Sequence, residues 1–126
     1  MKLFARDSKG VAAIEAAIVL PIFMSVVLAA VDYGSVFFVQ HTMNRVANDV
    51  SRSLALGHLT SAQAKTTTES NLPSWNSAQF TVTAGDLGAD DVQIVITVPA
   101  KDAALVNFAP LGFVGDLSVT AIKRKI

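Results

Sequence analysis

One carboxylate inside an apolar run is the most chemically pointed feature of this 126-residue sequence. In Lys9-Gly10-Val11-Ala12-Ala13-Ile14-Glu15-Ala16-Ala17-Ile18-Val19-Leu20-Pro21, Glu15 stands among side chains that offer it no hydrogen bond. An acid there is costly unless it reaches water or finds a counter-charge. The other candidates for chemistry are weaker. His41 and His58 are far apart and fit no metal-ligand spacing, so each reads as a surface residue. Asp86, Asp90 and Asp91 could bind calcium, but they lack the alternating-ligand loop that such sites use, and a solvated turn accounts for them. Lys123-Arg124-Lys125 could touch phosphate; a solvated terminus that discourages edge pairing is the stronger reading. Net charge is zero, so no bulk field points to nucleic acid, which is not an expected partner. The absence of cysteine removes disulfides, thiol catalysis and Cys-based zinc sites. There is no glycine-rich phosphate loop and no nucleophile elbow. No enzyme activity and no cofactor are expected.

The setting of Glu15 is a membrane-like segment. Lys2, Arg6 and Lys9, with Asp7, precede Gly10. Sixteen uncharged residues lie between Glu15 and Asp32, about 24 Å of helix at ~1.5 Å per residue. That is short for a hydrocarbon core of about 30 Å. A span starting at Val11 reaches about 32 Å by the same rise, but carries Glu15 one turn into the bilayer. The basic flank predicts that the N-terminus stays cytoplasmic and that the chain beyond about Val31 crosses to the other side. Pro21 removes one helical hydrogen bond, so a kink or local melting is expected over residues 17–21. That is either a tolerated membrane-helix proline or a flexible joint. Three readings of the segment compete: a secretory signal cleaved near Ala29 or Ala30, a plain signal anchor, and a segment processed at Gly10.

Beyond the bilayer segment, Val36, Val39, Met43, Val46, Val50 and Leu54 recur at three- and four-residue steps, the pattern of an amphipathic helix. Gln40, Asn44, Arg45, Asn48, Asp49 and Arg52 occupy its other faces, and Arg45 with Asp49 forms a four-residue charge pair worth about 0.3 kcal/mol. One helix is therefore expected from about Val11 to Leu56, stopped by Gly57. Thr60 and Gln63 have capping-box spacing and predict a second helix over residues 61–70. Residues 79–83 and 92–98 alternate as strands, with Gly85, Asp86, Gly88, Asp90 and Asp91 as their connection. Residues 117–125 are a third strand candidate. Residues 101–115, with Leu105, Val106, Phe108, Leu111, Phe113 and Val114, are expected to form a helical turn and a loop that shields one side of the sheet. Trp75 and Phe80 are expected near the domain core. The expected fold is α+β: a long N-terminal membrane and amphipathic helix packed on a small antiparallel sheet, with a short second helix. The divisions are 1–10, 11–33 (membrane half of the helix), 34–57 (amphipathic half) and 58–126 (small exported domain).

A short basic leader, Gly10, and an apolar helix with Glu15 at the fifth following position resemble the processing signal of type IV pilin-like proteins. The longer text sharpens this. Val11-Ala12-Ala13-Ile14-Glu15, Leu20-Pro21, the acidic-aromatic-Gly step Asp32-Tyr33-Gly34, and a polar helix with Asn44, Ala47 and Arg52 together resemble the TadE-like pseudopilins over residues 8–56. Major pilins of the same Flp type usually carry Tyr after the Glu; Ala16 stands here, which points to a minor pseudopilin. The resemblance implies a pilin-like fold and residues 1–10 as a leader that a prepilin peptidase cuts between Gly10 and Val11. Glu15 would then pair with the new Val11 ammonium; the alternative is a Glu that snorkels to the headgroups. It further implies residence in the bacterial inner membrane with the C-terminal domain periplasmic. The implied partners are lipid, other pilins and pseudopilins, and the inner-membrane assembly platform. The implied work is assembly of a tight-adherence pilus, by initiation, priming or tip formation, and through it adhesion and biofilm growth. The reading from another class is a single-pass envelope protein whose small periplasmic or extracellular domain binds a partner. A soluble domain released by signal peptidase is a third.

Overall fold

Helix α1 (Ser8–Ala55) is 48 residues long, a rod of about 72 Å at ~1.5 Å per residue. It belongs to a computed structural model that describes residues 8–75, 78–110 and 115–126. Lys2, Arg6 and Asp7 lie outside the described residues, as do Leu111, Gly112, Phe113 and Val114. The rod divides sharply by environment. On its N-terminal half Ile14, Ile18, Ile22 and Val26 are each 63 or 64 % exposed. These residues form an apolar row at four-residue steps that nothing among the described residues covers. From Asp32 onward one face is buried, and it includes Val36, Val39, Met43, Val46, Val50 and Leu54, the expected stripe in full. The α-helix continues through Pro21 and Gly34. The local melting expected over residues 17–21 is therefore absent from this state. Ser25 Oγ donates to the Pro21 carbonyl at 2.8 Å.

The end of α1 is set by backbone geometry. Gly57 takes φ 73°. Its N–H donates to the Leu54 carbonyl at 3.1 Å, and the His58 N–H to the Ser53 carbonyl at 3.0 Å. This is the paired closure of a Schellman motif, for which glycine carries no steric cost. Helix α2 (Ser61–Asn71) starts at the expected capping box: Gln63 N–H donates to Thr60 Oγ1, and Thr60 N–H to Gln63 Oε1. Buried Ala64 and Thr68 lie four residues apart on one α2 face, which packs on α1 and on the first strand. Thr68 Oγ1 donates to the Ala64 carbonyl, so its hydroxyl is satisfied inside the core.

Three strands, β1 (Thr81–Leu87), β2 (Asp91–Pro99) and β3 (Asp116–Arg124), form an antiparallel meander with β2 in the centre. Val92, Ile94, Ile96 and Val98 are no more than 1 % exposed, and with Val82, Leu117, Val119 and Ala121 they face α1 and α2. Trp75 and Phe80 pack at the edge of this core, as expected.

Three expectations need correction. The first strand runs past Thr83 to Leu87: Gly85 and Asp86 pair with Gln93 and Val92, and Asp91 opens β2. Ladder bonds thus carry the polar residues into the sheet, and only residues 88–90 turn, with Gly88 at φ 80°. Arg45 and Asp49 form no ion pair; among the described residues the salt bridge is Lys125 with Asp86, at 3.1 Å. A cation N-terminal to the acid is the weaker order for an exposed four-residue pair. Finally, the described part of residues 101–115 leaves the second sheet face open, with Thr81, Thr83, Ser118, Thr120 and Ile122 exposed. Its helical turn α3 (Ala100–Ala103) packs on both α1 and β2, and the following loop binds α1.

The two sheet faces predict opposite responses. In full-length protein in detergent micelles, unfolded with denaturant and followed by Trp75 fluorescence, Ile94→Ala should lower stability by about 3 kcal/mol through cavity formation. Ile122→Ala, on the open face, should change it by less than about 0.5 kcal/mol.

Candidate functional site

Two carboxylates on α1 carry the candidate chemistry, and the fold treats them differently. Glu15 is exposed and has no ion-pair partner among the described residues. It lies four residues after Val11, so the two are neighbours on one helix face about 6 Å apart along the axis. Gly10 is exposed within the first turns of α1, and a Cβ built on it would meet nothing within 4 Å. Nothing in the packing of the described residues requires glycine there, and in a helix glycine costs up to about 1 kcal/mol relative to alanine.

Asp32 is the opposite case. It is 0 % exposed, and its carboxylate receives four consecutive backbone N–H groups from the loop after α3. Val106 and Asn107 donate to Oδ1 at 2.8 and 3.1 Å, and Phe108 and Ala109 to Oδ2 at 2.6 and 2.8 Å. Asn107 has φ 60°. A left-handed residue among right-handed neighbours turns successive N–H groups toward one point, the geometry of an anion-binding nest. Asparagine tolerates that conformation better than most residues. Here the anion is the chain's own side chain, 74 to 77 residues away. The carbonyl side of Asp32 is tied as well, accepting from the buried Ser35 hydroxyl at 2.8 Å. Trp75 adds a second tie across the same region: its Nε1–H donates to the Ala103 carbonyl at 2.9 Å. Its ring lies 5.1 Å from that of Phe38 on α1, within the range of favourable aromatic pairs.

The sequence pointed to Glu15 and Gly10 but not to the function of Asp32. Asp32 stood out only as the end of the uncharged stretch and as the first member of an acidic-aromatic-Gly step. Its ligands are backbone N–H groups, which any residue supplies, so no side-chain motif advertises them. The usable signal was a second acid at an apolar boundary, together with Asn107 in a Pro- and Gly-flanked loop. The remaining candidates are dispersed. His41 and His58 are exposed. Asp86 lies in β1, Asp90 in the turn and Asp91 in β2, and no cluster of three or more metal-binding side chains occurs among the described residues. Arg124 ends β3 opposite Asp91, and Lys125 reaches Asp86.

Comparison with known proteins bears on the helix that carries both carboxylates. Residues 10–52 match the family model described as TadE-like protein. The matched segment starts at Gly10 and takes in Glu15, Pro21 and Asp32, about a third of the chain. No curated protein and no solved structure gives a significant match.

The clamp makes a direct prediction. Asp32→Asn keeps the shape but sets an amide NH2 against N–H donors, leaving part of the nest without an acceptor. Full-length Asp32→Asn protein in micelles should lose about 2–4 kcal/mol of unfolding free energy. Stability equal to the parent would mean the four bonds are dispensable.

Proposed function

We propose that this chain is a minor pseudopilin that takes part in assembling a tight-adherence pilus, and that it is processed after Gly10 by a prepilin peptidase. The observation that carries the proposal is the TadE-like match starting at Gly10. It falls on a helix whose N-terminal half is long, apolar and uncovered, which fits a single-pass anchor. In this reading residues 11–31 span the inner membrane, the N-terminus is cytoplasmic, and the sheet domain is periplasmic.

The chemistry follows from charge. Hydrolysis adds water across the Gly10–Val11 peptide bond; the carboxylate leaves with the leader, and Val11 keeps a protonated amine. That ammonium sits at the positive end of the helix dipole, which disfavours it. Glu15, one turn in on the same face, offsets both the new charge and the dipole. A lone carboxylate in lipid is costly, and so is a lone ammonium; paired, each lowers the cost of the other. The pair can close within one subunit or between the Val11 of one subunit and the Glu15 of its neighbour. The second arrangement fixes axial register as a subunit enters the assembly. Pro21 leaves the Ala17 carbonyl without its helical donor, a weak point at which α1 can flex as it leaves the bilayer. The partners in this reading are the peptidase, other pilins and pseudopilins, and the membrane platform that assembles them.

N-terminal sequencing of the protein from its native host tests the proposal. A start at Val11 is expected. An intact Met1 with the peptidase present would overturn it, and a start near Val31 would indicate secretion instead. Gly10→Val should leave the precursor uncut. Glu15→Ala should be cut normally yet fail to enter pili; normal piliation in that variant would contradict the charge-pair step.

A further inference from the structure

We infer that the loop at residues 105–109 is a second membrane contact, seated in the headgroup–acyl boundary of the leaflet from which α1 emerges. The inference rests on the membrane-anchor reading of α1. Three observations carry it.

The first is height. Val11 to Val31 spans about 30 Å at ~1.5 Å per residue, the thickness of the hydrocarbon core. Asp32 therefore lies at the far edge, and its four bonds pin residues 106–109 at that level. Leu28 and Ala29, one turn closer to the bilayer, are already half-buried, so the domain overhangs the last turn of the span.

The second is composition. Leu105, Val106 and Phe108 are exposed although they belong to a loop, and Tyr33, Phe37 and Phe38 are exposed on the adjoining turns of α1. They lie at the level where the bare N-terminal half of the helix meets the domain. Large apolar patches on soluble surfaces are rare, and aromatic side chains are favoured at the membrane–water interface. No charged side chain interrupts residues 103–110.

The third is backbone satisfaction. Irregular backbone near lipid is expensive because its N–H groups lose water. Here the N–H groups of residues 106–109 are all committed to Asp32. The clamp thus removes the main cost of placing this loop against the bilayer, and leaves its apolar side chains outward.

The chain has no native cysteine, so a single introduced thiol carries the only spin label. Full-length Phe108→Cys, Leu105→Cys, Phe23→Cys and Ser118→Cys proteins would be labelled in phosphatidylethanolamine–phosphatidylglycerol vesicles. Accessibility to oxygen and to a polar nickel chelate is then read by power saturation. The expected oxygen-to-chelate ratio is highest at residue 23, and several-fold higher at 105 and 108 than at 118 on the open sheet face. Ratios at 105 and 108 equal to that at 118, with residue 23 in lipid, would overturn the inference and leave the anchor intact. A residue 23 exposed to chelate would overturn the anchor reading, and this inference with it. Low accessibility to both reagents at 105 and 108, with spin–spin broadening, would assign the patch to a second copy of the chain and also overturn it.

Discussion

The buried Asp32 carboxylate and the four N–H groups around it decide how this protein is put together. Without that contact, α1 would still bury its apolar stripe against the sheet. Stripe packing is non-directional, however, and leaves the helix free to slide or roll by small amounts. Four hydrogen bonds to two oxygens fix one atom pair of the helix against one loop of the domain. They do so at the boundary between the bare half of α1 and its covered half. The aromatic contact of Phe38 with Trp75, and the Trp75 bond to Ala103, brace the same corner from the other side. The domain is thereby held at a fixed height on its anchor.

Asp32 and Glu15 illustrate one rule with two outcomes. A carboxylate removed from water needs donors or a counter-charge. Asp32 finds its donors within the chain, and so acts as a structural joint. Glu15 has no ion-pair partner among the described residues; in a membrane, lipid headgroups, a processed N-terminus or another subunit would supply its compensation. Under the pseudopilin proposal the last two operate in turn. Gly10 fits the same logic. Among the described residues nothing crowds a side chain there, which accords with the proposal that a peptidase handles the backbone at this position. The helix thus combines an acid satisfied within the chain, which holds the domain, with one that the proposal assigns to assembly.

Much of this was legible in the sequence because it depends on local pattern. The six residues of the α1 stripe follow from helical periodicity alone. The Thr60–Gln63 capping box and the Gly57 stop are short-range signals, and both are present. The central strand was visible because Val92, Ile94, Ile96 and Val98 alternate without a break. Two of the three errors share one cause, which is that pairing partners distant in sequence override local composition. Gly85 and Asp86 look like turn residues, yet the β2 ladder draws them into β1. Residues 101–109 look like a cover for the sheet, yet Asp32 draws their backbone to the helix. That nest uses groups common to every residue, and its acid lies more than seventy positions away, so neither spacing nor composition could announce it.

Residue-resolved amide hydrogen exchange on the intact chain in bilayers tests the clamp most directly. Val106, Asn107, Phe108 and Ala109 lie in a loop, and loop amides ordinarily exchange through local opening that costs almost no free energy. If Asp32 holds all four, they should exchange as slowly as the β2 amides, and together. Fast, independent exchange at these four positions, with β2 still protected, would contradict the central claim.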